Sequence, residues 1–171
     1  MIQPHGGELV NRLVDKEKRD EMIARAQEMP SLSLNNRELT EAENIAIGLY
    51  SPLEGFMLED DYKNVVENMR LDDGTVWTIP IVLGTDPDKA KELKPGSEVA
   101  LTDSDGEIYG VLELEEKYTV DKTREAENVY GTSEEKHPGV AQVYNRGEVL
   151  LGGKINMLKR VKHDRFNEYR K

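Results

Sequence analysis

The spacing of apolar residues changes about halfway along the chain, and this change restricts the folds it can adopt. In the first half apolar residues recur every three or four positions, as at Tyr62, Val65, Val66 and Met69, which is the period of an amphipathic helix. In the second half Leu112 and Leu114 alternate with polar residues, as in a strand. Helices followed by antiparallel strands predict an α+β fold with a small, partly closed β-barrel.

The first 50 residues predict two or three helices and a short strand. Residues 9–14 supply one short apolar face, and the apolar residues between 22 and 29 predict a helix that Pro30 stops. Residues 31–34 alternate and predict a strand. Thr40 and Glu43 have the spacing of a capping box, which predicts a helix with a buried stripe at Leu39, Ala42, Ile45, Ala46 and Leu49.

Residues 51–92 predict a loop, a helix, a strand and another helix. Residues 51–57 mix turn formers with apolar side chains and predict an ordered loop, and acidic residues 59–61 lie near the positive end of the helix through Tyr62. A turn at 71–74 leads into a β-rich run at 75–83, which Pro80 interrupts. A short helix is predicted at 86–92.

The last part of the chain predicts further strands and two helices. Residues 99–102 and 108–120 predict a hairpin around a turn at 103–106. Residues 121–130 and 138–144 predict helices. Residues 148–151 and 155–161 predict two closing strands, with a tight turn or a bulge at Gly152 and Gly153.

Composition excludes several classes of protein. The chain has 171 residues, enough for one domain or a domain plus a small appendage, and no Cys, which removes disulfides, Cys-ligated metals and thiol nucleophiles. No apolar run is long enough for a membrane helix, and a cytoplasmic location is predicted. The formal charge of -11 predicts neither nucleic acid nor a membrane as partner.

The basic residues are concentrated near the end of the sequence. Residues 154–171 contain seven basic and two acidic residues, whereas the remaining 153 residues carry a net charge of -16. Two interpretations stay open: a solvated last strand with a linker, or a basic surface for an anionic partner such as another protein domain.

Signatures of common active sites are missing from the sequence. Gly152-Gly153-Lys154 resembles the end of a phosphate-binding loop, but Glu148 occupies the place of its first Gly and Ile155 that of its Ser or Thr. His5, His137 and His163 are far apart, and residues 103–106 lack the later ligands of a calcium loop. We therefore predict no catalytic, cofactor-binding or metal-binding residue and no cofactor in this chain.

Seven strings without helix or strand periodicity are more specific. They are residues 4–11, residues 37–39 leading to 45–48, residues 50–57, residues 69–81, residues 129–132, residues 137–140 and Gly152-Gly153. In this order and spacing they resemble the N-terminal region of the ATP sulfurylase (sulfate adenylyltransferase) family, over nearly the whole chain.

This resemblance implies a PUA-like domain, a small β-barrel with flanking helices. Members of that family make adenosine 5′-phosphosulfate and pyrophosphate from ATP and sulfate, with Mg²⁺, generally as cytoplasmic homo-oligomers. Their chemistry belongs to a following α/β domain marked by Gln-x-Arg-Asn and His-x-x-His strings. Neither string occurs here. Gln142-Val143-Tyr144-Asn145 resembles the first but has Tyr144 in place of Arg, and no two His are three residues apart. No catalytic residue is therefore transferred to this chain.

The resemblance also implies a division of the chain and its partners. Residues 1–160 are expected to form the PUA-like domain, and residues 161–171 to start a linker toward a catalytic domain of the same polypeptide. The recognised strings are given structural roles: Gly6 and Gly7 in a turn, Phe56 and Met57 as anchors, and His137 at a helix start. The single Trp, Trp77, fits either a core or an interface. The alternative is a free-standing PUA-like module that binds RNA or a protein without catalysis.

Overall fold

The computed structural model describes residues 2–163, which contain six helices and six strands. The helices are α1 (Lys16–Ala26), α2 (Asn36–Ala46), α3 (Glu59–Asn68), α4 (Pro87–Glu92), α5 (Lys122–Tyr130) and α6 (Pro138–Asn145). The strands are β1 (Ser31–Ser33), β2 (Gly55–Phe56), β3 (Leu83–Thr85), β4 (Ser97–Thr102), β5 (Ile108–Thr119) and β6 (Val149–Met157). The predicted α+β class is confirmed. The expected linker at 161–171 lies largely outside the described residues.

The strands form one mixed sheet. Their order is β1-β4-β5-β6-β2, and β3 pairs with β6 outside this path. β1 runs parallel to β4, with Leu32 opposite Leu101, whereas β2 and β3 run antiparallel to β6. The path has two ends among the described residues, so the sheet is not closed and the barrel remains a prediction.

The chain packs as two compact units. The second unit consists of Gly55–Ser97 and Glu113–Lys154, and the first consists of the residues up to Glu54, Glu98–Leu112 and the described residues from Ile155 onward. In the first unit Ala26 of α1 belongs to a buried cluster with Ala100, Val111 and Leu158. In the second unit the buried residues of α3 are Tyr62, Val65 and Val66, which confirms the predicted helical stripe up to Val66.

The start of α2 differs from the prediction. Asn35 caps the helix: its Oδ1 accepts hydrogen bonds from the backbone N–H groups of Arg37 and Glu38, each 3.0 Å long, and its own N–H donates to Glu38 Oε2 at 2.9 Å. The capping box predicted at Thr40 is therefore wrong. Thr40 lies inside the helix, where its hydroxyl donates to the Asn36 carbonyl oxygen. Asn35 satisfies two helix N–H groups five residues before the predicted cap.

Three apolar residues expected on buried faces are exposed. Leu9 and Leu49 are 69% and 67% exposed, and Met69 is 50% exposed. Residues 9–14 do not form a helical face: Leu13 instead makes an isolated parallel bridge to Met157. Met69 follows the last turn of α3 in a left-handed conformation, which turns its side chain off the helical stripe.

The β-rich run at 75–83 is mostly irregular. Val76 makes a single bridge to Arg70, and the regular strand β3 begins only at Leu83. Pro80 lacks the N–H that a ladder needs, and the regular strand pairing begins only after it. The hairpin strands β4 and β5 and the helices predicted at 86–92, 121–130 and 138–144 are confirmed to within one residue or a few.

The two closing strands are one strand, so of the two predicted alternatives at Gly152 and Gly153, a tight turn or a bulge, the tight turn is wrong. β6 runs through both glycines, and Gly153 lies opposite Phe56 of β2. A Cβ atom on Gly153 would fall far inside van der Waals distance of the Glu113 carbonyl oxygen, and one on Gly55 would do the same with the carbonyl of Gly153. These glycines allow neighbouring backbones to approach closely.

Candidate functional site

A buried ion pair lies in the second unit. Glu125 of α5 accepts two hydrogen bonds from Arg146, which follows α6: Nη1 to Oε1 at 3.0 Å and Nη2 to Oε2 at 2.6 Å. Their side chains are only 3% and 13% exposed. A two-point guanidinium–carboxylate pair fixes both position and angle, so it joins α5 to the end of α6.

Two tyrosines extend this pair into a network. Tyr62 of α3 donates its hydroxyl to Glu125 Oε2 at 2.7 Å, and Tyr118 of β5 donates to the Met57 carbonyl oxygen at 2.7 Å. Their ring centroids are 5.8 Å apart. Burial, followed by the charge of Glu125, raises the pKa of Tyr62, and burial also raises the pKa of Tyr118. Both hydroxyls therefore stay protonated and act as donors.

Lys122 strengthens the same junction from the first turn of α5. Its Nζ donates to the Tyr144 carbonyl oxygen at 3.0 Å and also to the carbonyl of Arg146. Burial, followed by the nearby charge of Arg146, lowers the pKa of Lys122. The ammonium satisfies two carbonyls at the C-terminal end of α6, which the helix leaves without partners.

A cleft of about 160 Å³ opens beside the network, lined by Tyr62, Val66, Val120 and Glu125 among others. Two cations in its lining are already paired: Lys63 Nζ lies 2.8 Å from Glu59, and Arg124 Nη2 lies 2.8 Å from Glu67. Both oxygens of Glu125 also accept hydrogen bonds. With both oxygens of Glu125 and these two cations already paired, the network has the character of a structural support.

A second buried carboxylate lies in the first unit. Glu43 of α2 is fully buried, and its oxygens contact Arg160 Nε at 2.6 Å, the Val161 N–H at 3.1 Å and His163 Nε2 at 2.7 Å. All three partners belong to residues 160–163. Glu43 therefore fixes this segment against α2.

The residues singled out in the sequence have mostly structural positions. His137 caps α6 through its Nδ1, which accepts the Gly139 N–H at 3.2 Å, and Phe56 and Met57 are buried; these predictions are confirmed. Trp77 is half-buried. Within residues 2–163 no group of three or more His, Asp or Glu side chains could hold a metal ion. No helix of that part is long and apolar enough to cross a membrane.

Sequence reasoning missed both buried carboxylates, although a signal for each exists. Glu43 lies four residues after Leu39 and three before Ala46, on the buried face of α2, and Glu125 lies beside buried Ala126. A charged residue within an apolar stripe must find a partner, because an unpaired buried charge is costly. The stripe predicts that a partner exists but does not identify it.

Comparison with known proteins defines the family. Residues 2–160 match the model of the PUA-like domain. The chain belongs to the PUA-like domain family.

The matched relatives are longer proteins. A sulfate adenylyltransferase from Halothermothrix orenii is 59% identical over 171 residues, which are 99% of this chain and 45% of the relative. One from Microcystis aeruginosa is 46% identical over 168 residues, which are 98% of this chain and 43% of that protein. The chain thus spans less than half the length of these curated relatives.

A solved structure has the same fold. The hexameric APS kinase from Thiobacillus denitrificans superimposes with a TM-score of 0.75 at 28% sequence identity. The match covers 98% of this chain and 29% of that one. In this neighbour, too, the fold is one part of a longer polypeptide.

Proposed function

We propose that this chain is the N-terminal PUA-like domain of a sulfate adenylyltransferase. The whole enzyme would join ATP and sulfate into adenosine 5′-phosphosulfate and pyrophosphate. One observation carries the proposal: a sulfate adenylyltransferase is 59% identical to 99% of this chain, yet this chain covers only 45% of it. In this proposal ATP, Mg²⁺ and sulfate bind to residues that follow the PUA-like domain.

The described residues support a structural role for this part of the enzyme. A sulfate-activating site has to neutralise phosphate and sulfate charge with cations. Here Arg146 is committed to Glu125, Lys63 to Glu59 and Arg124 to Glu67, and the formal charge of the chain is -11. The domain would support the catalytic domain and help to build the oligomer.

The finer parts of this assignment belong to the same proposal. They are a PUA-like domain over residues 1–160 whose strands approach a small β-barrel, and a linker that begins at 161–171. They also include a homo-oligomer and a cytoplasmic location. The hexameric neighbour supports oligomer formation.

The decisive experiment combines a mass with an assay. We expect the native polypeptide of the source cells to have an intact mass well above 19.4 kDa, with peptides that continue past Lys171. The purified long form should release pyrophosphate from ATP in a sulfate-dependent manner, and the 171-residue chain should not. A native mass of 19.4 kDa, with no catalytic chain co-purifying, would favour a free-standing binding module instead.

A further inference from the structure

The chain leaves β6 through a segment that is held at almost every residue. Leu158 is fully buried, and its N–H donates to the Tyr109 carbonyl oxygen at 2.8 Å. Lys159 Nζ pairs with Glu107 and lies 4.2 Å from the centroid of the Tyr109 ring. We call residues 158–163, which begin with these contacts, the exit arm.

One carboxylate holds the rest of the exit arm. Arg160 Nε and the Val161 N–H donate to Glu43 Oε1 at 2.6 Å and 3.1 Å. His163 Nε2 lies 2.7 Å from Glu43 Oε2, and the side chains of these two residues are 16% and 1% exposed. A buried carboxylate without partners is costly, so these contacts hold the arm against α2. Because all three depend on the same group, removing that group removes them together.

The carboxylate itself belongs to a firmly packed helix. Glu43 lies in α2, and its neighbours Ala42, Ile45 and Ala46 are fully buried. The capping box at Asn35 closes the first turn of this helix. A group carried by a packed helix is placed more precisely than a group on a loop. The position of the exit arm is therefore fixed relative to α2.

Such fixation differs from what a flexible linker needs. Segments that join independently moving domains are exposed and polar, and few contacts cross them. The exit arm instead engages a buried carboxylate, pairs with Glu107 and buries a leucine. Each of these contacts is made within the first unit. The chain therefore leaves the first unit along one defined path.

We propose that the exit arm is a rigid joint, which holds the following part of the longer polypeptide in one orientation relative to the first unit, and that Glu43 is its positioning residue. This inference rests on the proposed function, since it requires such a part to exist; the chain accounts for only 45% of the Halothermothrix orenii relative. In this proposal Glu43 acts on the reaction only through that orientation. Domains of one polypeptide ordinarily move relative to one another, so a rigid joint is a measurable exception.

NMR relaxation of the long form tests the joint. Backbone ¹⁵N relaxation gives a rotational correlation time for each part of a molecule, and rigidly joined parts share one value. We expect α1 and α2 to have the same correlation time as the following part. The Val161 amide, which donates to Glu43, should exchange slowly with solvent. A first unit that tumbles faster than the following part, or a Val161 amide that exchanges as in an unstructured chain, would overturn the inference.

A release variant and a matched control separate the joint from general stability. The release variant carries Glu43→Leu, Arg160→Ser and His163→Ser, so that none of these three side chains remains as an unpaired buried charge. Its Val161 amide should exchange at least about ten-fold faster, and the correlation time of α1 should fall by about 1.5-fold or more relative to the following part. The control, Ile45→Val, shortens a buried side chain of the same helix and should change neither. Faster exchange with unchanged tumbling would make Glu43 a merely structural residue and overturn the proposal.

Further results distinguish the possible failures. An active long form whose first unit tumbles independently would leave the proposed function standing and remove the joint. A long form without sulfate-dependent pyrophosphate release, but with tumbling that changes in the release variant alone, would do the reverse. An equal change of tumbling in Ile45→Val would assign the effect to general stability and overturn the inference. A native polypeptide that ends at Lys171 would remove both proposals.

Discussion

At the scale of single residues, Glu125 is the charge whose removal should matter most in the second unit. Its side chain is 3% exposed and holds Arg146 and Tyr62. Glu125→Ala leaves a buried guanidinium without a counter-charge and should cost about 3–5 kcal/mol of unfolding free energy. Tyr62→Phe removes one hydrogen bond to a charged acceptor and should cost about 1.5–3 kcal/mol. Urea denaturation monitored by circular dichroism measures both.

The control for this prediction replaces both charges at once. Glu125→Leu combined with Arg146→Met leaves neither charge unpaired. This double variant should be more stable than Glu125→Ala alone, because the penalty lies in the orphaned charge rather than in the lost attraction. A double variant that is less stable than the single one would show that the unpaired guanidinium is not the source of the penalty.

At the scale of elements, the first turn of α2 offers a direct comparison between two candidate caps. Asn35→Ala removes the side chain that accepts from Arg37 and Glu38 and should cost about 1 kcal/mol of unfolding free energy. Thr40→Ala should change the unfolding free energy by no more than about 0.5 kcal/mol, because Thr40 is half-buried inside the helix and caps nothing. Thermal and urea unfolding of both variants would test this, and a larger loss at Thr40 would contradict the structure.

The tie between α2 and residues 160–163 should give stability a pH dependence. Burial of Glu43 raises the pKa of its carboxyl, but the hydrogen bonds from Arg160, His163 and the Val161 N–H, together with the charge of Arg160, outweigh burial and lower the pKa below its ordinary value of 4.5. A lowered pKa in the folded state means stabilisation that is complete above about pH 4.5 and is lost as the pH falls through the folded-state value. Protonation therefore weakens the tie only in acid.

The corresponding measurement compares unfolding free energies from pH 3 to pH 7. The difference between the wild type and Glu43→Gln should be constant near neutrality and should shrink below about pH 4.5. Exposed Glu21 of α1 provides the control, since the difference for Glu21→Gln should stay near zero throughout. A wild-type advantage that grows in acid would mean that the carboxylate is not the stabilising form.

The sequence predicts the elements that are set by neighbouring residues, and it misses those that depend on residues far away in the chain. Helices α3, α5 and α6 follow from period and capping residues within a few positions, such as Asp121 before α5 and His137 before α6. The continuation of β6 through Gly152 and Gly153 depends on β2, about a hundred residues away. Glu43 likewise finds its partners more than a hundred residues later. Such pairings are set by tertiary structure, which a local pattern does not encode.

At the scale of the whole molecule, the net charge of -11 should make stability depend on salt. Like charges repel in the compact state, and added ions screen them. We expect the melting temperature of the 171-residue chain to rise by a few degrees between about 10 mM and about 300 mM NaCl. Differential scanning calorimetry measures the change, and KCl should act equally because ionic strength is the cause. A fall in melting temperature would indicate that attractive ion pairs dominate.

The pairing of buried charges fits the supporting role proposed for this domain. The described residues pair their buried charges internally, as Glu125 does with Arg146 and Glu43 with Arg160. A domain of this kind holds its shape at any stage of a reaction, because no group in those pairs needs to change partner.

The close approach of β2, β6 and β5 at Gly55 and Gly153 determines which mutations a second mutation can compensate. A methyl group at either position meets a backbone carbonyl, not a side chain that could be shortened. A genetic search for second-site suppressors of Gly153→Ala should therefore return no compensating change among the contacting residues, whereas Glu125→Ala should yield suppressors at Arg146. Among related sequences of this domain, we therefore expect Gly55 and Gly153 to remain Gly and not to change together with a contacting residue.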